Sequence, residues 1–396
     1  MKSQNLRLKI SLPALWRNES FRSVAIQIIA VFLVFLCISL LIRNMLINLE
    51  NVGKELSFDF LLYPAAYDIS FSPFLEYSSR STHLKAAVVG LLNTLLVSVC
   101  GIVMATILGV MLGVLRLSNN WLVSKTAYVY LEFARNIPLL LHILFIYGMI
   151  VTVLPPAKKA VGFFDVIYLS NRGLYVPSPV WEEGIKILLI IFLLSISLVF
   201  IFYYLAKKKQ ELTGKTRPIA LISVLVVLTP LVAAYFLTDY SITWDIPALQ
   251  GFNFKGGVAV KPEFLALWFA LSYYTSSFIA EIVRSGVLAI SYGQTEAAYA
   301  LGLKPNRTLR LIILPQALRV IVPPLASQYL NLTKNSSLAI AIGYMDLVAT
   351  IGGISLMQTG KEIETMLIVL CVYLIISLTI SAFMNWFNYK TRLVDR

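Results

Sequence analysis

The sequence predicts an all-α integral membrane protein with about eight transmembrane helices. Three observations predict it. The 396 residues are 58% apolar and only 13% charged, whereas a soluble domain is about 45–50% apolar and about 25% charged. The mean hydropathy is +0.79. The apolar residues fall in long runs with few or no charges, each near the ~20 residues that cross a bilayer. Secreted miniproteins, coiled coils, disordered tails and DNA-binding domains are excluded together. The net charge of +13 then reports topology rather than nucleic-acid binding, because Lys and Arg collect in cytoplasmic loops.

The first run, Val24–Ile42, is uncharged. It is long and has no small-residue cleavage site close behind it, so it is not a removed signal. The second, Ala86–Leu115, is uncharged and long enough to tilt. Its small residues Gly101, Ala105, Gly109 and Gly113 share one stripe, which lets a neighbouring helix approach closely. The third, Ile137–Leu154, follows a helical pattern from Ser124 to Arg135. There Ala127–Phe133 suits an interfacial helix, and Pro138 a kink into the span. The fourth and fifth are Ile185–Ala206 and Pro218–Leu237, separated by the stop Lys207-Lys208-Lys209. The sixth, Phe264–Val283, carries Glu281. The seventh, Val320–Gly343, contains Lys334. The eighth is Met366–Tyr389.

An even number of spans puts both termini on one side. With that side cytoplasmic, 21 of the 33 Lys and Arg lie in cytoplasmic segments and 10 in outside segments. The bias predicts cytoplasmic N and C termini. Trp181, Tyr235, Tyr240 and Trp244 fall near outer boundaries, as an aromatic belt would.

Little in the chain suits catalysis. Cys37, Cys100 and Cys371 are scattered in apolar runs and are expected to be buried free thiols, not a disulfide framework or zinc site. His83 and His142 stand far apart, and His142 suits helix packing, so an intramembrane enzyme has no cluster to build on. No G-x-x-x-x-G-K-[ST] phosphate loop occurs. The nearest approach, Gly214-Lys215-Thr216, has Lys209 where the first glycine belongs. An ion-coupled secondary transporter is the competing class. It would show paired broken helices in two repeated halves, a pattern not seen here.

Ionisable residues at membrane depth are functional candidates: Glu281, Lys334 and Asp346. An amino-acid ammonium needs an acceptor and its carboxylate needs donors. Glu281 suits the first role, and Asn93, Thr94, Asn335 and Ser336 offer polar contacts. The candidate substrate pathway is therefore Asn93, Thr94, Glu281, Lys334, Asn335 and Ser336. Glu281 equally suits pairing with Arg284, three residues on. Lys334 fits either an inward-facing or a snorkelling role, and Asp346 an interfacial one.

The stretch Ser291–Pro324 departs from an ordinary loop. Gln294–Leu301 reads as a short helix with small residues at Ala297, Ala298 and Ala300. Gly302 suits its C-terminal cap, and Lys304-Pro305-Asn306 a turn. Asn306 is expected to cap a second helix, with Arg307 and Arg310 outward and Leu309, Ile312 and Ile313 inward. Pro315 breaks or kinks it. The result is a compact knob whose small residues let a partner's backbone come close. Arg307, Arg310 and Arg319 suit a protein partner and lipid headgroups equally.

Here the chain resembles the amino-acid branch of the ABC importer permeases. Their "EAA loop" falls on Glu296-Ala297-Ala298, Gly302, Ile312 and Leu314-Pro315 with every spacing matched. Supporting stretches are Phe278–Arg284, Pro315-Gln316-Ala317, Lys334–Leu338 and Glu132–Pro138, the last with Asn136-Ile137-Pro138 where the family has Gly-Thr-Pro. The resemblance covers 86–154 and 263–388 and implies a five-helix type I ABC importer permease core. Outside that core lie 1–85 (tail, first helix and outside loop), 155–262 (an insertion with two helices and outside loops) and the tail 389–396. The build resembles the longer permease subunit of bacterial general L-amino-acid transporters.

The resemblance implies a multi-pass protein of the bacterial inner membrane, moving amino acids by ATP-driven alternating access. It implies a periplasmic amino-acid-binding protein, a second and non-identical permease subunit, a cytoplasmic P-loop ATPase dimer and surrounding lipid as partners, and no nucleic acid. ATP and Mg would sit on the ATPase, with no cofactor on this chain. The knob residues Glu296, Ala297, Ala298, Gly302, Ile312, Leu314 and Pro315 would dock on the ATPase, within the coupling segment 291–319.

Overall fold

The computed structural model describes residues 19–180, 183–213, 218–237 and 243–391. The tail to residue 18, Trp181, Gly214-Lys215-Thr216, Tyr240 and the last five residues lie outside the described residues. The chain divides into two compact units, 1–61 and 62–396. In the first, α1 (Glu19–Asn51) runs through the first predicted span and buries none of its side chains. A helix that is apolar all round is solvated by lipid or by other helices.

The second unit contains α2 (His83–Arg116), α3 (Trp121–Asn136), α4 (Leu139–Val153), α5 (Glu183–Thr213), α6 (Ile219–Leu237), α7 (Pro262–Leu288), α8 (Tyr292–Ala300), α9 (Leu314–Asn335) and α10 (Glu362–Thr391). Among the described residues six helices are long and apolar enough to cross a membrane alone. The bent pair α3–α4 makes a seventh candidate, and α6 is a shorter apolar helix. The expected kink at Pro138 is a 103° bend between α3 and α4, where Pro138 takes an extended conformation. The predicted seventh span is not one α-helix. After Asn335 it tightens into a 3₁₀ stretch, Ser336–Ile342, and ends on Gly343 in the left-handed region.

The sequence sets the helix starts. Thr82 Oγ1 accepts from the Lys85 N–H, and Asn120 Oδ1 from the N–H groups of Leu122 and Val123. These are N-cap bonds. Pro262 occupies the first turn of α7, where its missing N–H costs nothing.

The glycine stripe of α2 is the seam of the core. Gly101, Ala105, Gly109 and Gly113 are all buried. A Cβ on Gly109 would lie 2.5 Å from Ile279 of α7, and one on Gly113 would lie 2.8 Å from Val283 and 2.9 Å from the Ala280 carbonyl oxygen. Gly101 faces Leu332 of α9. Leu139 and Ile143 of α4 join the same buried cluster. The cysteines depart from expectation. All three are free, but Cys37 and Cys371 are exposed and Cys100 is half-buried. Cys100 packs against the core cluster, whereas Cys37 and Cys371 stand on exposed faces of α1 and α10.

The insertion holds a feature absent from the sequence expectation. The segments that flank α5 and α6 meet as an antiparallel sheet of β1 (Val161–Phe163), β2 (Ile167–Ser170), β3 (Gly173–Val176) and a fourth strand, Val258–Val260, in that order. Tyr175↔Ala259 pairing closes the base of the insertion, so α5 and α6, which pack on each other, are carried beyond it. One sheet face packs Tyr168 and Tyr175 on Phe254 and Ala157. The Tyr175 phenol donates to Asn253 Oδ1 at 2.8 Å, and burial pushes its pKa above the ordinary tyrosine value. The register places the alternate residues on the opposite face: Val161 and Phe163 beside Ile167 and Leu169, then Leu174 and Val176 beside Val258 and Val260.

Leucine at Gly109 or Gly113 is expected to destabilise the core by about 1–3 kcal/mol, the ordinary cost of overpacking, read as a lower Tm and yield in detergent. Gly148→Ala, at a position with open space, is the neutral comparison; equal behaviour of the three variants would dismiss the seam.

Candidate functional site

The knob joins α7 to α9. Its first helix, α8, ends in a paired-bond cap. The Leu303 N–H donates to Ala298 O at 3.1 Å and the Gly302 N–H to Tyr299 O at 2.9 Å, with Gly302 at φ +76°. This is the Schellman arrangement, which needs a residue tolerant of the left-handed region. No atom lies within 4 Å of a Cβ placed on Gly302, so its outer side is open. Glu296 and Ala297 are exposed, and Ala298 is the buried contact of the helix.

The second half of the knob differs from the sequence expectation. Lys304, not Asn306, is the N-cap residue, because Pro305 takes the first position of a single turn, Pro305–Thr308, where proline is favoured. A π-turn follows over Leu309–Ile313, and the Leu314 N–H donates to Leu309 O. A proline clashes with the carbonyl four residues back. The wider turn relieves that clash at Pro315 and lets α9 continue from it. Ile313 is buried and Ile312 half-buried, but Leu309 is 52% exposed, contrary to its expected inward position. Its side chain faces open space rather than a packed neighbour. With Ile313 it lines an open cleft of about 520 Å³ between the end of α7 and α8. Leu301 and Leu311 are exposed, as are Leu314, Arg307 and Arg310, with Pro315 half-buried. Gln316 Nε2 donates to Gln294 Oε1 at 3.4 Å, tying α9 back to α8.

The structure brings some residues of the predicted pathway together and separates others: Thr94 and Ser336 both reach the Tyr373 hydroxyl, whereas Glu281 lies apart. Asn93 and Thr94 are fully buried in the N-terminal half of α2. Asn93 Nδ2 donates to Phe71 O at 2.8 Å and Met345 O at 2.9 Å. Thr94 Oγ1 accepts from the Leu347 N–H at 3.1 Å, and the Tyr344 hydroxyl donates to Asn93 O. These bonds fasten the segment before α2 and the loop after Gly343 onto α2. Asn93 Oδ1 has no hydrogen-bond partner among the described residues. Ser336 is fully buried, its hydroxyl donating to Thr333 O, whereas Lys334 is exposed and Asn335 half-buried.

Glu281 lies at the other end of the core. The Arg284 Nε–H is shared between its two carboxylate oxygens at 3.2 and 3.1 Å, so the pairing alternative is the one formed. Glu132 similarly receives Arg135 and Asn136. Asp346 is not interfacial. It is fully buried, with Oδ1 accepting from the Ala349 N–H and Oδ2 from the Tyr373 hydroxyl. Sequence position alone hid this, because the loop folds back onto Gly90, where a Cβ would meet the Asp346 carbonyl oxygen at 2.9 Å. His142 is a buried packing residue, donating to Ala134 O.

Residues 101–393 match the family described as binding-protein-dependent transport system inner membrane component. YhdX of Escherichia coli (strain K12) is 47% identical over 382 residues, covering 96% of each chain. The general L-amino acid transport system permease protein AapQ of Rhizobium johnstonii is 44% identical over 379 residues, 96% of this chain and 94% of that one. The glutamate/glutamine/aspartate/asparagine transport system permease protein BztB of Rhodobacter capsulatus is 46% identical over 411 aligned positions, 96% of each chain.

Asn93→Ala leaves two buried carbonyls without their donor, expected to cost about 1–3 kcal/mol and to lower the Tm in detergent. Asn93→Asp, ionised, loses the same two donors. An unchanged Tm in both variants would show that the clamp is not formed.

Proposed function

Since the chain belongs to the family of inner-membrane components of binding-protein-dependent transport systems, and is a multi-pass ABC transporter permease of type I fold, we propose that it is one permease subunit of an ATP-driven importer of L-amino acids. In this reading an outside binding protein delivers the amino acid. A second, non-identical permease completes the pathway, and a dimer of P-loop ATPases on the cytoplasmic side drives alternating access. The names of AapQ and BztB support amino acids as the cargo and a broad rather than single-residue range. The charge bias of the sequence supports cytoplasmic termini.

The observation that carries the reading is the knob. It is rigid, because its helix ends in paired bonds. It offers a small, open surface at Ala297 and Gly302, with apolar Leu301 and Leu311 beside it. It is tied to two core helices at once. A soluble subunit that closes around such a knob would move α7 and α9 together, the two-state element that coupling requires. Because the sequence carries no phosphate loop, ATP and Mg²⁺ are assigned to the partner ATPase. There the metal ion would neutralise charge developing on the phosphates, and this chain contributes only the docking surface. Glu281, fastened by Arg284, then acts as part of the inner-end framework. Asn93, Thr94, Lys334, Asn335 and Ser336 remain the candidates along the substrate path.

Ala297→Trp is the direct test, because Ala297 is exposed on a helix and the ring adds bulk without backbone strain. The variant is expected to insert normally and to lose uptake by ~10-fold or more, equivalent to about 1.4 kcal/mol of docking. Gly302→Asn, which tolerates the left-handed conformation, is expected to retain uptake. Normal transport by Ala297→Trp would overturn the docking assignment. Uptake in vesicles driven by an ion gradient without ATP would favour the secondary-transporter alternative.

A further inference from the structure

The insertion sheet has an unsolved problem on one side. An antiparallel sheet that packs on one face normally presents polar side chains on the other. Here the second face is wholly aliphatic or aromatic. The eight positions assigned to it by register are Val, Phe, Ile or Leu; none of them is buried, and Val260, at the end of the fourth strand, is the point where the face meets the core cluster. Val161, Phe163 and Val258 are each more than 40% exposed. The β1–β2 turn extends the patch. Phe164 is held at φ 55°, a conformation that aromatic residues rarely take, and its ring is 94% exposed.

We propose that this sheet face is a permanent contact surface for the second permease subunit, on the outer side of the assembled transporter. The inference rests on the reading of the chain as one permease of a pair, and names the surface that the insertion adds to that pair.

Three arguments select this occupant. The first removes lipid. β1 is an edge strand, and its outward N–H and C=O groups have no neighbouring strand. Open sheet edges are not tolerated in the hydrocarbon region, where no water can pair them. The second disfavours a soluble partner that comes and goes. Such a surface must survive in water between encounters, and transient interfaces are only about 56–58% non-polar. A face with no polar side chain resembles the interior of an obligate interface. The third is size. Four strands about 4.8 Å apart and three residues long at about 3.4 Å each cover roughly 200 Å². A freestanding complex needs about 800 Å² per partner. The patch can therefore only extend a contact that is held elsewhere, which in the proposed pair would be the contact between the two permeases. The sheet is also fixed to the core. Its fourth strand runs through Lys261 directly into α7, and Val260 packs against the core cluster.

The test is site-specific photo-cross-linking in membranes that carry the full transporter: both permeases, the ATPase and the binding protein. Benzoylphenylalanine is placed at Phe163 and at Leu169, on the open face, and at Tyr168, on the covered face. The expected result is a covalent adduct from 163 and 169 to the second permease, identified by its peptides, with at least a fivefold lower yield from 168. The yield should not change when binding protein or amino acid is added. Adducts only to the binding protein, only to lipid or only to residues 19–61 of the same chain overturn the proposal. So does an absence of adducts while the second permease co-purifies. If the second permease does not co-purify with the unmodified chain, the pairing itself fails and the proposal falls with it.

Discussion

The close approach of α2 and α7 is the interaction on which the rest of the structure depends. Between helices in a bilayer there is no hydrophobic driving force, because lipid tails are as apolar as leucine; association relies on packing. Gly109 and Gly113 supply it by having no side chain where Ile279 and Val283 enter. The two helices then act as paired beams. α2 carries Asn93 and Thr94 in its N-terminal half and Arg116 at its C-terminal end. α7 receives the insertion sheet at its start, holds the Glu281–Arg284 pair near its end and leads into the knob.

The same logic repeats at the knob, where motion would have to enter. Gly286, near the end of α7, is buried against Ile321 of α9. The Gln294–Gln316 bond ties α8 to α9. A displacement of α8 is thus delivered to two core helices through packed contacts rather than through a flexible tether. The π-turn before Pro315 serves this arrangement. An ordinary helical turn would put the proline ring against a carbonyl, and a loop would break the mechanical link. A turn with one extra residue keeps the segment helical and the link short.

The parts of this architecture that depend on periodicity or spacing were legible in the sequence. Long apolar runs gave the helices, four-residue spacing gave the seam, and the spacing from Glu296 to Pro315 gave the knob. What escaped depends on long-range juxtaposition. The sheet joins strands of three or four residues drawn from segments some 80 residues apart, too short for a period-two pattern to stand out. Asp346 read as interfacial because sequence places it beyond the end of a span, whereas the chain doubles back onto Gly90. Leu309 read as inward because it shares a helical face with Ile313, but that face borders an open cleft at Leu309, which sequence periodicity does not reveal. Asn306 was outcompeted as a cap by Pro305, whose fixed φ favours the first helical position.

The two ends of the core are held by different sets of contacts. The end that carries the knob uses half-exposed ion pairs, Glu281 with Arg284 and Glu132 with Arg135. Pairs of that exposure are individually weak and screened by salt, so they can re-form in a shifted geometry. The end that carries the Asn93 clamp uses buried hydrogen bonds from Asn93, to Thr94 and to the Asp346 carboxylate, the Lys361–Glu364 ion pair, and Phe71 packed beside Phe264 and Tyr344. Buried bonds are costly to leave unmade, so this end favours discrete arrangements over gradual ones. Yet Asn93 Oδ1 remains without a partner among the described residues, and a buried polar group left unpaired in low dielectric is costly. An alternative packing that satisfied this oxygen would recover part of that cost. Buried polar atoms without a partner among the described residues also occur toward the other end of the core, on Arg116, Arg135 and Arg319, so both ends of the α2–α7 pair hold groups that a second packing could satisfy.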